Sequence, residues 1–381
     1  MKIVYCLNSI RYLGGIQRVT ITKANALASV DGNEVYVIVT DNREGMMVLP
    51  LSEKVHLINL DINYYDGDRR RSKISDLFVS LFLRKKHKKY LYKELCAIRP
   101  DVVISVGTSE KYMLLSMRKR SWKVIREFHF DRHYRKRLAK TWFDKLVANV
   151  SDYYDFTFKE RKYDKIVVLT QEDKETNWKG WDNVTVIPNP LSFQSVESSP
   201  LNQKVVISLG RLDYQKNYSS LIRAFKLVCE RFPDWVLHIY GDGDERQMLQ
   251  QLIEIKNLSS NVCLKGVTSD VQKALLESSI FVLSSITEGF ALVRVEAMEC
   301  GLPVVSYQCP CGPKDIISDG SDGFLVSIND EQAFADRICE LIENQDVRKQ
   351  MGVAGKLTAR KYHVEIIAQQ WMTLFENVMK Q

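Results

Sequence analysis

The stretch IFVLSSITEGFALVRVEAMECGLPVVSY, residues 280–307, decides the architecture. It opens on a short apolar run and passes through a loop holding Glu288 and Gly289. It then continues at helical spacing from near Leu292 and closes on a second apolar run, Pro303 to Tyr307. Two strand-like runs joined by a helix make a β-α-β unit, which forces its strands to be parallel and its sheet to be covered on both faces. Glu288 and Glu296 stand inside this unit with seven mostly apolar residues between them. A buried segment tolerates an acid only where something binds it. Taken singly, Glu288 could serve the turn before Gly289, and an early helical acid such as Glu296 favours the dipole. Both together, in a loop at a strand end, call for a ligand.

Working outward, runs of the same kind recur along the chain. KIVYCLN, EVYVIVT, KVHLINL, DVVISVG, KVIREFH, KIVVLT and VTVIP precede residue 190, and KVVISLG, VLHIYG, VCLKG, IFVLSS, PVVSY and GFLVS follow. Helical patterns separate them at Gln17–Ser29, Arg84–Ala97, Tyr218–Arg231 and Glu245–Lys256, and again from Glu331 to the end. Strands alternating with helices predict an α/β protein of two Rossmann-like, doubly wound parallel-sheet domains facing a central cleft. The expected divisions are 1–190, a Pro-, Ser- and Asn-rich linker at 191–203, and a second domain at 204–360. A final helix at 361–381 carries Ile366, Ile367, Trp371, Leu374, Phe375 and Val378 at helical spacing, and it is expected to return to the first domain.

At 381 residues, 45% hydrophobic and 27% charged, the chain is a globular protein and not a disordered one. Its net charge of +7 is unevenly placed. Residues 1–195 hold 35 Lys and Arg against 23 Asp and Glu, a net of +12, and the rest hold 19 against 24, a net of −5. The basic half is suited to an anionic partner. No run of eighteen apolar residues predicts a membrane span. The opening MKIVYCLNSI is too short for a signal peptide. The eight cysteines are scattered like reduced thiols, and Cys309 and Cys311 lack the second pair that zinc would need. A cytoplasmic location and no metal site are the expectations.

Four loops fall at strand ends, where open parallel sheets bind ligands. Gly14 and Gly15 precede the first helix, so that backbone N–H groups can approach an anion. In SLGRLDYQKN, Arg211 and Lys216 flank a short loop and suit a diphosphate. Gly241 and Gly243 end the next strand. The fourth loop is Thr287 to Ala291. Each alone also reads as ordinary turn chemistry.

In order and spacing, GRLDYQKN, YGDGDERQML, TEGFALVRVEAMECGLPVV and GPKDIISDGSDGFLV resemble the retaining glycosyltransferases of family 4, which have the GT-B fold. GGIQRV, REFHF and VIPNPL extend the resemblance more loosely into the first half. The resemblance implies that Arg211 and Lys216 hold the diphosphate of a nucleotide sugar, most commonly a UDP-sugar, and stabilise the leaving group. It implies Glu288 and His129 beside the transferred sugar, with His133 competing for the place of His129. Glu296 would bind the ribose hydroxyls, and Gly266 and Val267 the base. Backbone N–H groups of Phe290, Ala291 and Leu292 would surround the sugar and distal phosphate. Gly241 would wall the site, and Gly14 and Gly15 would complete it from the other domain. No cofactor or metal is implied. Two departures stand out: Ala291 replaces a frequent proline, and Arg294, expected to face solvent or the acceptor cleft, sits in an aliphatic stretch.

The first domain would bind a glycan or lipid-linked acceptor. Its basic clusters at Arg69–Lys73, Arg84–Lys93 and Arg132–Lys140 suggest an anionic membrane, the middle one through Leu81, Phe82, Leu83, Leu91 and Leu95, with the protein peripheral on the inner face. The alternatives are an inactive GT-B partner subunit and a nucleic-acid-binding protein. The intact Arg211, Lys216, Glu288 and Glu296 oppose the first. No nucleic-acid motif accompanies the charge to support the second.

Overall fold

The structure is a computed structural model. It describes residues 1–10, 14–41, 50–62, 64, 73–107, 109–117, 121–130, 132–133, 135–136, 139 and 141–380, the side chains of 73–80 excepted. Every apolar run singled out above becomes a strand. The first sheet holds β1 (Lys2–Leu7), β2 (Glu34–Val39), β3 (Val55–Asn59), β4 (Val102–Ser105), β5 (Lys123–Glu127), β6 (Lys165–Val168) and β7 (Val184–Val186). Their order is β3-β2-β1-β4-β5-β6-β7. The second holds β8 (Val205–Leu209), β9 (Val236–Tyr240), β10 (Val262–Gly266), β11 (Ile280–Leu283), β12 (Val304–Tyr307) and β13 (Gly323–Val326), ordered β10-β9-β8-β11-β12-β13. All pairings between these strands are parallel.

In each sheet the order reverses beside the first strand, β1 or β8. The loops that leave the carboxyl ends of the central strands therefore part to opposite faces and open a crevice. The segment between β7 and β8 has no regular structure, yet it is no loose tether. Leu191 and Leu201 are buried in the second domain's core, and Ser195 N donates to Glu299 at 3.0 Å.

The helix Val364–Met379 buries Ile367, Trp371, Leu374, Phe375 and Val378 against Ile3, Tyr5 and Leu27 of the first domain. Trp371 also faces a buried cation, because Lys23 Nζ lies 4.8 Å from its ring centroid. That ammonium, on the helix Gly15–Ala28, is ion-paired with Glu127 at the end of β5, and both side chains are almost wholly enclosed. Burial pushes Lys23 down against the pull of Glu127. For Glu127, burial pushes the carboxyl up, but Lys23, His129 and Arg126 outweigh it and hold it below the usual range. Removing one partner would leave an uncompensated charge in the core, so the pair fixes the helix to the sheet.

Trp371→Ala should cost the first domain about 3–5 kcal/mol. Urea unfolding should show an earlier transition for that domain and an unchanged one for the second; a shared, unshifted midpoint would contradict this packing.

Candidate active site

The second domain gathers its candidate residues at the carboxyl ends of β8, β9, β10 and β11. Lys216 Nζ donates to Glu288 Oε1 at 2.6 Å. Backbone bonds lace their two loops together: Ile286 N donates to the Gln215 carbonyl at 2.9 Å and Ser284 Oγ to that of Lys216 at 2.8 Å. Burial raises the Glu288 carboxyl, but Lys216, the Ser285 hydroxyl and Arg294 together outweigh it and hold it below the usual range. It is a buried, ionised acceptor. Arg211 stands differently from Lys216: its Nε pairs with Asp213 at 2.5 Å and its side chain is largely exposed. Gly241, at φ 139°, lies so close to Gly210 that a Cβ would run into the carbonyl oxygen of Gly210. Its N–H donates to the Gly266 carbonyl at 2.8 Å, and Val267 beyond is exposed.

The helix Leu292–Glu299 follows the Glu288 loop, and among the described residues no side chain caps its N-terminus. Its free N–H groups and dipole favour an anion there. Ala291 precedes it at φ 55°, and Phe290 is buried edge-on against Tyr362. A backbone at φ 55° is closed to proline, so the departure noted at residue 291 suits the conformation found. Arg294 faces neither solvent nor cleft. It is wholly buried, its three guanidinium nitrogens find no hydrogen-bond partner among the described residues, and its charge interacts with Cys309, Glu288 and Tyr362.

Glu296 is 2% exposed and lies where the domains meet. It accepts from Arg18 Nη1 at 3.2 Å and from the Ser192 hydroxyl. Sequence reasoning passed over both partners. Arg18 was in view, because it lies in GGIQRV one helical turn after Gly14 and Gly15. Ser192 sits in a linker and gave no local signal. A third glutamate, Glu299, was also passed over. It accepts from Ser195 N and lies 3.1 Å from His363 Nε2, ahead of the C-terminal helix.

From the first domain, the backbone of His129 closes on this loop: a Cβ on Gly289 would run into the His129 carbonyl oxygen. His129 Nε2 lies 3.5 Å from Glu127 Oε1, and burial lowers the imidazole to about 4 against the pull of that carboxylate. The ring is neutral at physiological pH. His133 turns elsewhere, with Nδ1 4.0 Å from Asp152. Gly14 and Gly15 begin the helix that carries Arg18. A hollow of about 150 Å³ opens beside His129, lined by Gln17, Lys111, Arg126, Arg132 and Arg135 among others. Every residue that lines it belongs to the first domain.

Of the basic clusters, 69–72 lie outside the described residues, as do 134, 137, 138 and 140. The cluster Arg84–Lys93 lies on the helix Lys73–Ile98, whose Leu91 and Leu95 are fully buried in the first domain's core. Those two leucines are therefore not available to a membrane, contrary to the expectation above. Their burial under β1, β2 and β4 is what holds the helix down.

Residues 192–358 match the family described as glycosyl transferases group 1. An uncharacterized glycosyltransferase of Haemophilus influenzae is 28% identical over 97% of this chain and 98% of its own length. The GalNAc-alpha-(1->4)-GalNAc-alpha-(1->3)-diNAcBac-PP-undecaprenol alpha-1,4-N-acetyl-D-galactosaminyltransferase of Campylobacter jejuni is 26% identical over 99% of each chain. A Staphylococcus aureus TarM mutant, crystallised with fondaparinux, alpha-GlcNAc-glycerol and UDP, shares the fold at TM-score 0.78. It is 17% identical and covers 98% of this chain and 99% of that one.

Ala291→Gly relieves a left-handed backbone and should stabilise the second domain by about 1 kcal/mol, read as a later urea midpoint; an earlier midpoint would contradict the assigned conformation. For His129, the folded value of about 4 lies below the ordinary 6.5. Between those values the unfolded chain binds the proton and the folded one does not, so this contribution is intact above 6.5 and declines as pH falls to 4. His129→Gln should flatten that part of the stability profile; equal slopes would place the ring in contact with water.

Proposed function

Since the chain is a glycosyltransferase of GT-B fold whose residues 192–358 match group 1, we propose a specific reaction for it. It transfers a hexose or N-acetylhexosamine, with retention at the anomeric carbon, from a UDP-linked donor to a glycan or lipid-linked acceptor in surface polysaccharide or glycolipid synthesis. The observation that carries this reading is the Lys216–Glu288 pair at 2.6 Å, set before the uncapped N-terminus of Leu292–Glu299. A cation and open N–H groups converge there on a place fit for a diphosphate, beside an ionised acceptor fit for sugar hydroxyls.

In this reading Lys216 swings from Glu288 to the phosphates, and exposed Arg211 joins it by leaving Asp213. Together with the N–H groups of Phe290, Ala291 and Leu292 they stabilise the charge that grows on the leaving UDP. Glu288 then takes hydrogen bonds from the transferred sugar. Glu296 accepts from the ribose, with Arg18 and Ser192 holding its carboxylate in place. Gly266 and Val267 border the base, Gly241 walls the site, and Gly14 and Gly15 present backbone N–H groups from across the cleft. His129, a neutral ring beside the Glu288 loop, contacts the sugar. The acceptor hydroxyl attacks from the face the UDP leaves and passes its proton to the departing phosphate oxygen. Two cationic side chains and a helix terminus can neutralise the diphosphate, so the transfer is expected to run without a metal. The UDP bound in the TarM crystals and the undecaprenol-linked acceptor in the Campylobacter enzyme's name support the donor and acceptor classes.

Calorimetry with a panel of nucleotide sugars, metal chelated, tests the donor. One UDP-sugar should bind selectively, and Glu296→Ala should weaken it about tenfold or more, as expected on losing hydrogen bonds to a charged group. An absence of binding by every nucleotide and nucleotide sugar would sink the reading.

A further inference from the structure

The helix Trp142–Tyr154 is built firmly and faces the wrong way. Thr141 and Asp144 form a reciprocal cap at its start, Thr141 Oγ1 accepting from Asp144 N at 3.1 Å and Asp144 Oδ2 accepting from Thr141 N at 3.1 Å. Asp152 anchors it from beneath, 3.4 Å from Arg135 and 4.0 Å from Lys136. An ordinary surface helix hides its apolar stripe and shows its polar one. Here the residues turned to the protein are Ala148 and Asp152, while Trp142, Phe143, Leu146, Val150, Tyr153 and Tyr154 are each at least half exposed, Trp142 at 77%. At 100° per residue they span one continuous sector, and Phe158 extends it beyond the helix. So contiguous an apolar face marks a contact surface.

Charge identifies what it meets. Residues 132–162 hold nine Lys and Arg and four Asp and Glu, a net of +5. Three of those acids, Asp152, Asp155 and Glu160, are buried, whereas Lys145, Arg161 and Lys162 are exposed. Lys159 Nζ lies 5.2 Å from the Tyr154 ring centroid, a cation at the edge of the aromatic face. Trp and Tyr over an apolar stripe, fringed by Lys and Arg, match the polar–apolar boundary of a bilayer with anionic headgroups. Thirteen residues reach only about 20 Å, short of the hydrocarbon core, so such a helix lies along the surface.

We propose that this face seats the protein on an anionic bilayer. Beside the face, Phe143 and Val147 line an open hollow that shares Arg135 with the first-domain hollow next to His129. An acceptor whose lipid stays in the membrane would thus enter along the helix and past Arg135. The surface stands on its own observations. A chain that bound vesicles but no nucleotide sugar would keep it and lose the reaction, and the converse would do the opposite.

The test is sedimentation of the full chain with vesicles of phosphatidylcholine and phosphatidylglycerol, against phosphatidylcholine alone. Binding should need the anionic lipid and fall with salt. Trp142→Ser with Val150→Ser should weaken it by about tenfold or more, and Lys145→Glu with Lys162→Glu should abolish the preference for anionic lipid. Because all four side chains are exposed, melting temperatures should stay unchanged, and both variants should still bind whatever nucleotide the wild type binds. Vesicle binding that survives both pairs would overturn the proposal. So would a stable wild-type dimer that Trp142→Ser with Val150→Ser dissolves, since the face would then belong to a second copy.

Discussion

The arrangement depends on a single close approach. Gly289 and the carbonyl of His129 meet with no room for a Cβ between them, so two loops from different domains touch backbone to backbone. Each loop leaves the carboxyl end of a central strand, β11 on one side and β5 on the other. Their contact brings the Lys216–Glu288 pair within reach of the first domain's polar groups. It also excludes water from Glu288, which strengthens every charge around that carboxylate. A side chain at 289 would part the domains and dissolve that environment, although it would touch none of the charged groups.

Glu296 repeats this logic with side chains. Arg18 and Ser192 reach it from the first helix and from the linker, so one carboxylate ties three segments that are far apart in the chain. Glu299, one turn on, does the same for Ser195 and His363. The helix Leu292–Glu299 is therefore both a wall of the site and the place where the linker and the C-terminal helix are secured.

The parallel sheets were legible because strands buried on both faces appear as unbroken apolar runs, and none of the thirteen was misplaced. The glycine-rich and charged loops were legible because each stands where such a run ends. What escaped depends on partners distant in sequence. Arg18 lies 278 residues from Glu296, and nothing near either residue announces the pair. Arg294 has the composition of a surface residue and the position of a core one. Two helices beside the basic clusters place their apolar residues differently. The one ending at Ile98 buries Leu91 and Leu95 in the core and leaves Leu81 and Phe82 exposed. The one starting at Trp142 turns its apolar side outward, and the pattern alone cannot say which side of a helix faces home.

The return of Val364–Met379 to the first domain has a consequence for synthesis. The first domain emerges from the ribosome before the second, yet Trp371 and Phe375, which complete its core around Tyr5 and Leu27, are made only after the last strand of the second domain. Domains made in order tend to fold in order, but here the earlier domain is completed only after the later one has been made. Until the helix Val364–Met379 arrives, an apolar trough stays open along the helix Gly15–Ala28, with the Lys23–Glu127 pair beneath it. During that interval the nascent chain offers chaperones a binding face that the finished protein no longer has.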